Sequence, residues 1–174
     1  MKKLKPLTLI FFAFLLVSCG TSSTYNQSSI NQNFYKGKTI YVMQSFESKD
    51  FISYKGMVGN VLGPSMPPNV KEVFKQSIKE LAVETNTNLK VVDNLENIPA
   101  DPSAVLVYAK ITNIVWSFGL SVATLTTDVT YTIKPEEKVY KAIGIRKSGG
   151  GDPTNNLRKS LKVANYKFLK ELEK

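Results

Sequence analysis

Residues 122–133 read Val-Ala-Thr-Leu-Thr-Thr-Asp-Val-Thr-Tyr-Thr-Ile. Ala123, Leu125, Thr127, Val129, Tyr131 and Ile133 alternate with Thr124, Thr126, Asp128, Thr130 and Thr132. Successive side chains on a strand point to opposite faces, so this period of two puts an apolar row on a core and a threonine row in water. One-sided burial is the mark of an antiparallel strand whose sheet is covered on a single face. The neighbours extend the pattern. Ala104 to about Trp116 is β-rich, with Val105, Val107, Ala109 and Ile111 on one face and Leu106, Tyr108, Lys110 and Thr112 on the other. Phe118-Gly119-Leu120 turns the chain between the two runs. Lys134-Pro135-Glu136-Glu137 is a second turn, and Lys138 to about Lys147 returns as a last strand with Val139, Ile143 and Ile145 on one face.

Two helices flank this meander. Asn69 is placed to cap the first, with Glu72 three residues on at capping-box spacing. Val70, Val73, Phe74, Ile78 and Leu81 then form one apolar stripe, and Asn86-Thr87-Asn88 ends the helix near Thr85. Asp152 followed by Pro153 opens the second helix, which carries Leu157, Leu161, Ala164, Phe168 and Leu172 on its buried side. Lys159, Lys162, Tyr166 and Lys170 form a second stripe. Earlier in the chain, Thr39 to Phe46 is a strand apolar on both faces, and Leu89 to Val92 is a short one. The predicted order is β-α-β-β-β-β-α. It describes an α+β two-layer sandwich: a mostly antiparallel sheet of about five strands with two helices on one face.

The amino terminus carries a different signal. Met-Lys-Lys-Leu-Lys is a cationic start, and Leu7 to Val17 is an apolar run of about eleven residues, too short for a stable bilayer span. It ends on Leu16-Val17-Ser18-Cys19, and Cys19 is the chain's sole cysteine. This ending resembles the lipobox of bacterial lipoproteins. The resemblance implies a diacylglycerol on the Cys19 sulfur, cleavage just before Cys19, acylation of the new amino terminus and, with Gly20 next, passage to the outer membrane. The expected organisation is a signal peptide over residues 1–18, a lipidated cysteine and polar tether over 19–35, and one α+β domain over 36–174. The tether reading rests on Gly20 to Asn33, polar, uncharged and nearly free of apolar residues.

Composition narrows the chemistry. The chain has no histidine, and Cys19 would be consumed by lipid, which removes imidazole acid–base work, thiol nucleophiles and most transition-metal sites. Glu136-Glu137 reads as a solvated turn. No Gly-x-Ser-x-Gly, Ser-x-x-Lys or Gly-x-x-x-x-Gly-Lys is present. The expectation is a non-enzyme with no catalytic residues, no metal and no cofactor beyond the covalent lipid on Cys19. Charge is concentrated at the carboxyl end: residues 138–174 hold ten basic and three acidic side chains. Arg146, Lys147, Arg158, Lys159 and Lys162 are close in sequence around Gly149–Gly151 and form a candidate patch for anionic ligands. Nucleic acid is not expected as a partner of an exported chain.

Glu47 to Pro68 is the second candidate site. It is far longer than a strand-to-helix connection requires, and such loops are usually functional or disordered. Tyr54, Met57, Val58, Val61 and Leu62 are its candidate partner-binding residues, with Phe51 and Ile52 expected to pack and the tip from Gly56 to Gly63 expected to be exposed. Behind its lipobox, the element order looks like several small envelope lipoproteins: the lipopolysaccharide-assembly lipoprotein of the outer-membrane translocon, the activators of peptidoglycan synthases and the curli-secretion family. The resemblance is architectural and carries no functional residue across. It implies a binding or assembly module for an envelope machine, anchored to the outer membrane by acyl chains and facing the periplasm. The alternatives are an accessory that binds or transports lipopolysaccharide or anionic lipid, and a structural or surface lipoprotein.

Overall fold

In a computed structural model, residues 29–56 and 67–174 are described. The elements are α1 (Gln32–Tyr35), β1 (Thr39–Gln44), β2 (Ser53–Lys55), α2 (Val70–Thr85), β3 (Leu89–Val91), β4 (Ala104–Phe118), β5 (Ala123–Lys134), β6 (Lys138–Ser148) and α3 (Pro153–Leu172). They form the expected mixed α+β sandwich. The sheet order is β3-β1-β4-β5-β6, with β2 also on β4. The antiparallel ladders β4–β5 and β5–β6 run nearly the full length of β5. Parallel pairing joins β1 to both β3 and β4, and β2 to β4. Strands β1 and β2 lie end to end on the flank of β4 opposite β5, because Thr39–Gln44 matches Ala104–Ala109 while Ser53–Lys55 matches Val115–Ser117.

Local signals set the helix ends. The Asn69 side chain accepts from the Glu72 N–H at 3.2 Å, and Asn86 closes α2 in the left-handed conformation at φ 50°. Asp152 accepts from the N–H groups of Thr154 and Asn155 ahead of Pro153. Phe74, Ile78 and Leu81 of α2 and Leu157, Leu161, Ala164 and Phe168 of α3 bury against Val107, Ala109 and Ile111 of β4 and Leu125, Val129 and Tyr131 of β5. Every odd-numbered residue of β5 from Ala123 to Ile133 is buried, as the alternation predicts. A register shift between Ile111 and Asn113 changes the parity of β4, so Ile114 and Trp116 continue the buried row.

Three features differ from the sequence reading. Residues 29–35, assigned to the tether, belong to the folded domain. Ile30 and Tyr35 are buried, the Tyr35 hydroxyl donates to the Leu169 carbonyl at 2.6 Å, and Lys170 Nζ donates to the Ser29 carbonyl at 2.7 Å. Isolated apolar residues in a polar stretch here gain burial against α3. The long loop contains β2, and Phe51, expected to pack, is exposed beside Lys49 while Ile52 is buried. On β6, the core side is Tyr140, Ala142 and Gly144, so Val139, Ile143 and Ile145 face away from the helices.

The two helices are tied to the sheet through a buried polar chain. The Tyr131 hydroxyl donates to Asn165 Oδ1 at 2.6 Å, Asn165 Nδ2 donates to Ser77 Oγ at 3.0 Å, and Ser77 Oγ donates to the Phe74 carbonyl at 2.7 Å. Burial pushes the Tyr131 phenol well above its ordinary pKa. Replacing one member of a buried pair strands the other at about 1–3 kcal/mol, whereas replacing both is nearly neutral. Asn165→Leu is therefore expected to lose about 2 kcal/mol in urea unfolding, and adding Tyr131→Phe to recover part of that loss. Equal stability of Asn165→Leu and the parent would show that the chain contributes nothing.

Candidate functional site

The second half of β4 extends beyond β1, and its side chains meet those of β2. Tyr54, Trp116 and Phe118 form a cluster with ring centroids 6.0 Å apart for Tyr54–Trp116, 6.4 Å for Tyr54–Phe118 and 4.9 Å for Trp116–Phe118. Gly56 follows directly, at φ +98°, and a Cβ there would lie 2.5 Å from the Phe118 carbonyl oxygen. Only glycine lets the chain leave β2 this close to β4. Next to the cluster is a hollow of about 420 Å³, between the β4–β5 turn (Gly119, Leu120, Ser121, Val122) and the β6–α3 connection (Gly149–Gly151 and Pro153), with Trp116 and Phe118 as its aromatic wall. That volume is in the usual range for a ligand pocket.

Two details set its chemistry. Leu120 is fully exposed at the turn and Val122 is nearly half exposed, although tight turns favour polar residues. Trp116 Nε1 and the Tyr54 hydroxyl are buried without a hydrogen-bond partner among the described residues. Such groups are uncommon in folded proteins. Burial also raises the Tyr54 phenol pKa. The end of the sheet thus combines apolar walls with glycine backbone, which suits an apolar group.

The residues singled out in the sequence are distributed unevenly. Tyr54 is in this cluster. Cys19, Met57, Val58, Val61 and Leu62 lie outside the described residues. The five cations do not form one free patch. Arg158 pairs with Glu80 and donates to Asn155 Oδ1 at 2.6 Å, and Lys162 pairs with Glu80 at 3.2 Å and Glu84 at 2.5 Å. These bonds join α3 to α2. Lys147 is exposed on the far face of the sheet, and Arg146 is on the helix side of β6 with its Nε buried and without a hydrogen-bond partner among the described residues. Desolvation, then the charges of Arg146, Arg158 and Lys162, lowers the Lys159 pKa. Arg146 and Lys159 therefore remain as neighbouring cations outside the α2–α3 ion pairs. Trp116, Phe118, Leu120 and Val122 were not singled out. The signal that marks them is a turn, 118–122, that is apolar at three of its five positions.

No family model matches the chain, and no curated protein matches it. Solved structures similar to it include a "putative neuraminyllactose-binding hemagglutinin homolog" from Helicobacter pylori, at 15% identity over 79% of this chain and 84% of that one, with a TM-score of 0.41. The hypothetical protein CT253 from Chlamydia trachomatis is 13% identical over 78% of this chain and 94% of that one, with a TM-score of 0.37. Lipoprotein GNA1162 from Neisseria meningitidis is 8% identical over 78% of this chain and 99% of that one, with a TM-score of 0.30.

Proposed function

We propose that this chain is a non-enzymatic, lipid-anchored binding module of the bacterial cell envelope, held at the outer membrane and facing the periplasm, and that it engages an envelope protein complex through the hairpin end of its sheet. The observation that carries the reading is the hollow walled by Trp116 and Phe118, with Leu120 fully exposed at its rim. An aromatic wall with exposed aliphatic side chains at its rim is what a protein anchor residue inserts against. The Leu16-Val17-Ser18-Cys19 ending supports the anchor, and the absence of histidine and of any second cysteine in the sequence supports binding over catalysis.

The test is photocrosslinking in cells. A photoreactive residue at Leu120 or Val122 is expected to give one dominant adduct with an envelope protein. The same residue at Val83, an exposed position of α2, is expected to give none. Identical adducts from all three positions, or none at Leu120 and Val122, would remove the hairpin end as the interface. A second reading, contact with anionic head groups of lipid or lipopolysaccharide, is favoured by one observation: the Arg146 charge acts on Lys159, and neither residue takes part in the α2–α3 ion pairs.

A further inference from the structure

The last strand of the sheet has a free side. Among the described residues β6 pairs with β5 alone, over eleven residues, about twice the usual strand length. Its unused backbone groups can be assigned. Ala109 and Ile111 of β4 accept from the N–H groups of Ser45 and Lys49, away from β5. Backbone direction alternates along each strand, so Tyr108 and Lys110 are the β4 residues that bond to Thr132 and Thr130 of β5. The intervening β5 residues, Val129, Tyr131 and Ile133, then bond to Ala142, Tyr140 and Lys138 of β6. That leaves Val139, Lys141, Ile143, Ile145 and Lys147 with N–H and C=O turned outward. An independent contact agrees: Lys167 Nζ of α3 donates to the Ile143 carbonyl at 2.8 Å.

The same five residues point their side chains to the open face of the sheet. Val139, Ile143 and Ile145 are 55%, 48% and 39% exposed there. Lys141 and Lys147 are exposed between and beyond them, and β6 carries Lys138, Lys141, Arg146 and Lys147 with no acidic residue. Edge lysines oppose pairing with a second copy, because two such edges would set cation against cation. The same charges favour an acidic strand.

We propose that the free edge of β6 takes up an extended segment of a partner protein whose every second residue, all on one face of the strand, is either acidic or apolar, the acidic side chains opposite Lys141 and Lys147 and the apolar ones beside Val139, Ile143 and Ile145. Main-chain hydrogen bonds hold the segment and the side-chain pattern selects it. The incoming N–H takes the place of Lys167 at the Ile143 carbonyl. This surface is distinct from the aromatic wall of the hairpin end, and the inference does not depend on that reading.

The experiment uses the full chain in detergent and a fluorescein-labelled nonapeptide, Glu-Thr-Val-Thr-Val-Thr-Glu-Thr-Val, followed by anisotropy. Binding is expected to weaken as salt rises past about 0.1 M, where exposed charges are screened within about 10 Å. Ile143→Pro removes an N–H that the β5–β6 ladder does not use, so it is expected to weaken binding about tenfold, the worth of one or two main-chain hydrogen bonds. Lys141→Glu with Lys147→Glu keeps the backbone intact; it is expected to lose the glutamate peptide and gain the peptide with lysine in place of glutamate. No binding to the parent protein, or binding that neither variant alters, overturns the proposal.

Discussion

Gly144→Ala is expected to destabilise the domain by at least about 3 kcal/mol, the upper end of what overpacking costs. Gly144 lies on the core side of β6, directly beneath α3. A Cβ at that position would be 1.9 Å from the Ser160 carbonyl oxygen and 2.6 Å from Thr127 Oγ1. The first of these is main-chain, in the middle of a twenty-residue helix, so no rotamer change relieves it. The helix must lift, and lifting disturbs what holds it. The Thr127 and Ser160 hydroxyls are 3.0 Å apart, the Tyr131 hydroxyl bonds to Asn165, and the Tyr131 and Phe168 rings stack at 4.2 Å. A domain of ordinary stability has about 5–15 kcal/mol in total, so the variant is expected to unfold at markedly lower urea. Gly149→Ala is the control, since a Cβ there meets nothing within 4 Å and the backbone is not in the left-handed region. It should stay within about 0.5 kcal/mol of the parent. If Gly144→Ala and Gly149→Ala unfold together, the close approach of α3 to β6 is not as described.

The same glycine shows where sequence reading stops. A long strand repeats its signal: β5 alternates for twelve residues, and each odd position is buried. Both long helices announce themselves through caps whose side chains make the expected bonds. Short elements repeat nothing, so β2 and α1, three and four residues long, have no period to detect. Partners distant in the chain are equally silent. Gly144 in the sequence is a glycine within a strand; its meaning comes from Ser160 above it. Arg158 and Lys162 read as free cations because Glu80 and Glu84, their partners, are 78 to 82 residues away.

The candidate site follows the same logic. Tyr54 was visible as an aromatic residue in an overlong loop. Its partner Trp116 reaches the buried row only through the parity change near Thr112, which a strict period of two misplaces. On β6, three apolar residues on one face suggest a core side, yet the small residues Ala142 and Gly144 occupy it because α3 packs there too closely for anything larger. The apolar face was thereby left outward, on the edge strand.

Cys19→Ser is expected to abolish anchoring. Lipid attachment requires a sulfur nucleophile: a thiol with a pKa near 8.5 supplies some thiolate at neutral pH, while a serine hydroxyl supplies essentially no alkoxide. Without the thioether the signal peptide should stay uncut, because in bacterial lipoproteins of the kind the Leu16-Val17-Ser18-Cys19 ending resembles, cleavage follows lipidation. Two or three acyl chains hold a protein durably at a membrane, whereas one alone is marginal, so the loss should be complete. The packing of residues 29–35 on α3 sharpens the consequence. With lipid on Cys19, only ten residue steps separate the anchor from Ser29, about 35 Å even if fully extended. Under the proposed anchoring the domain is then confined near the membrane surface. The measurement pairs metabolic palmitate labelling with membrane fractionation. The parent protein should incorporate palmitate, migrate as the cut form and fractionate with the outer membrane; Cys19→Ser should do none of these. A Cys19→Ser protein that is still cut before residue 19 and still found in the outer membrane would refute the anchor.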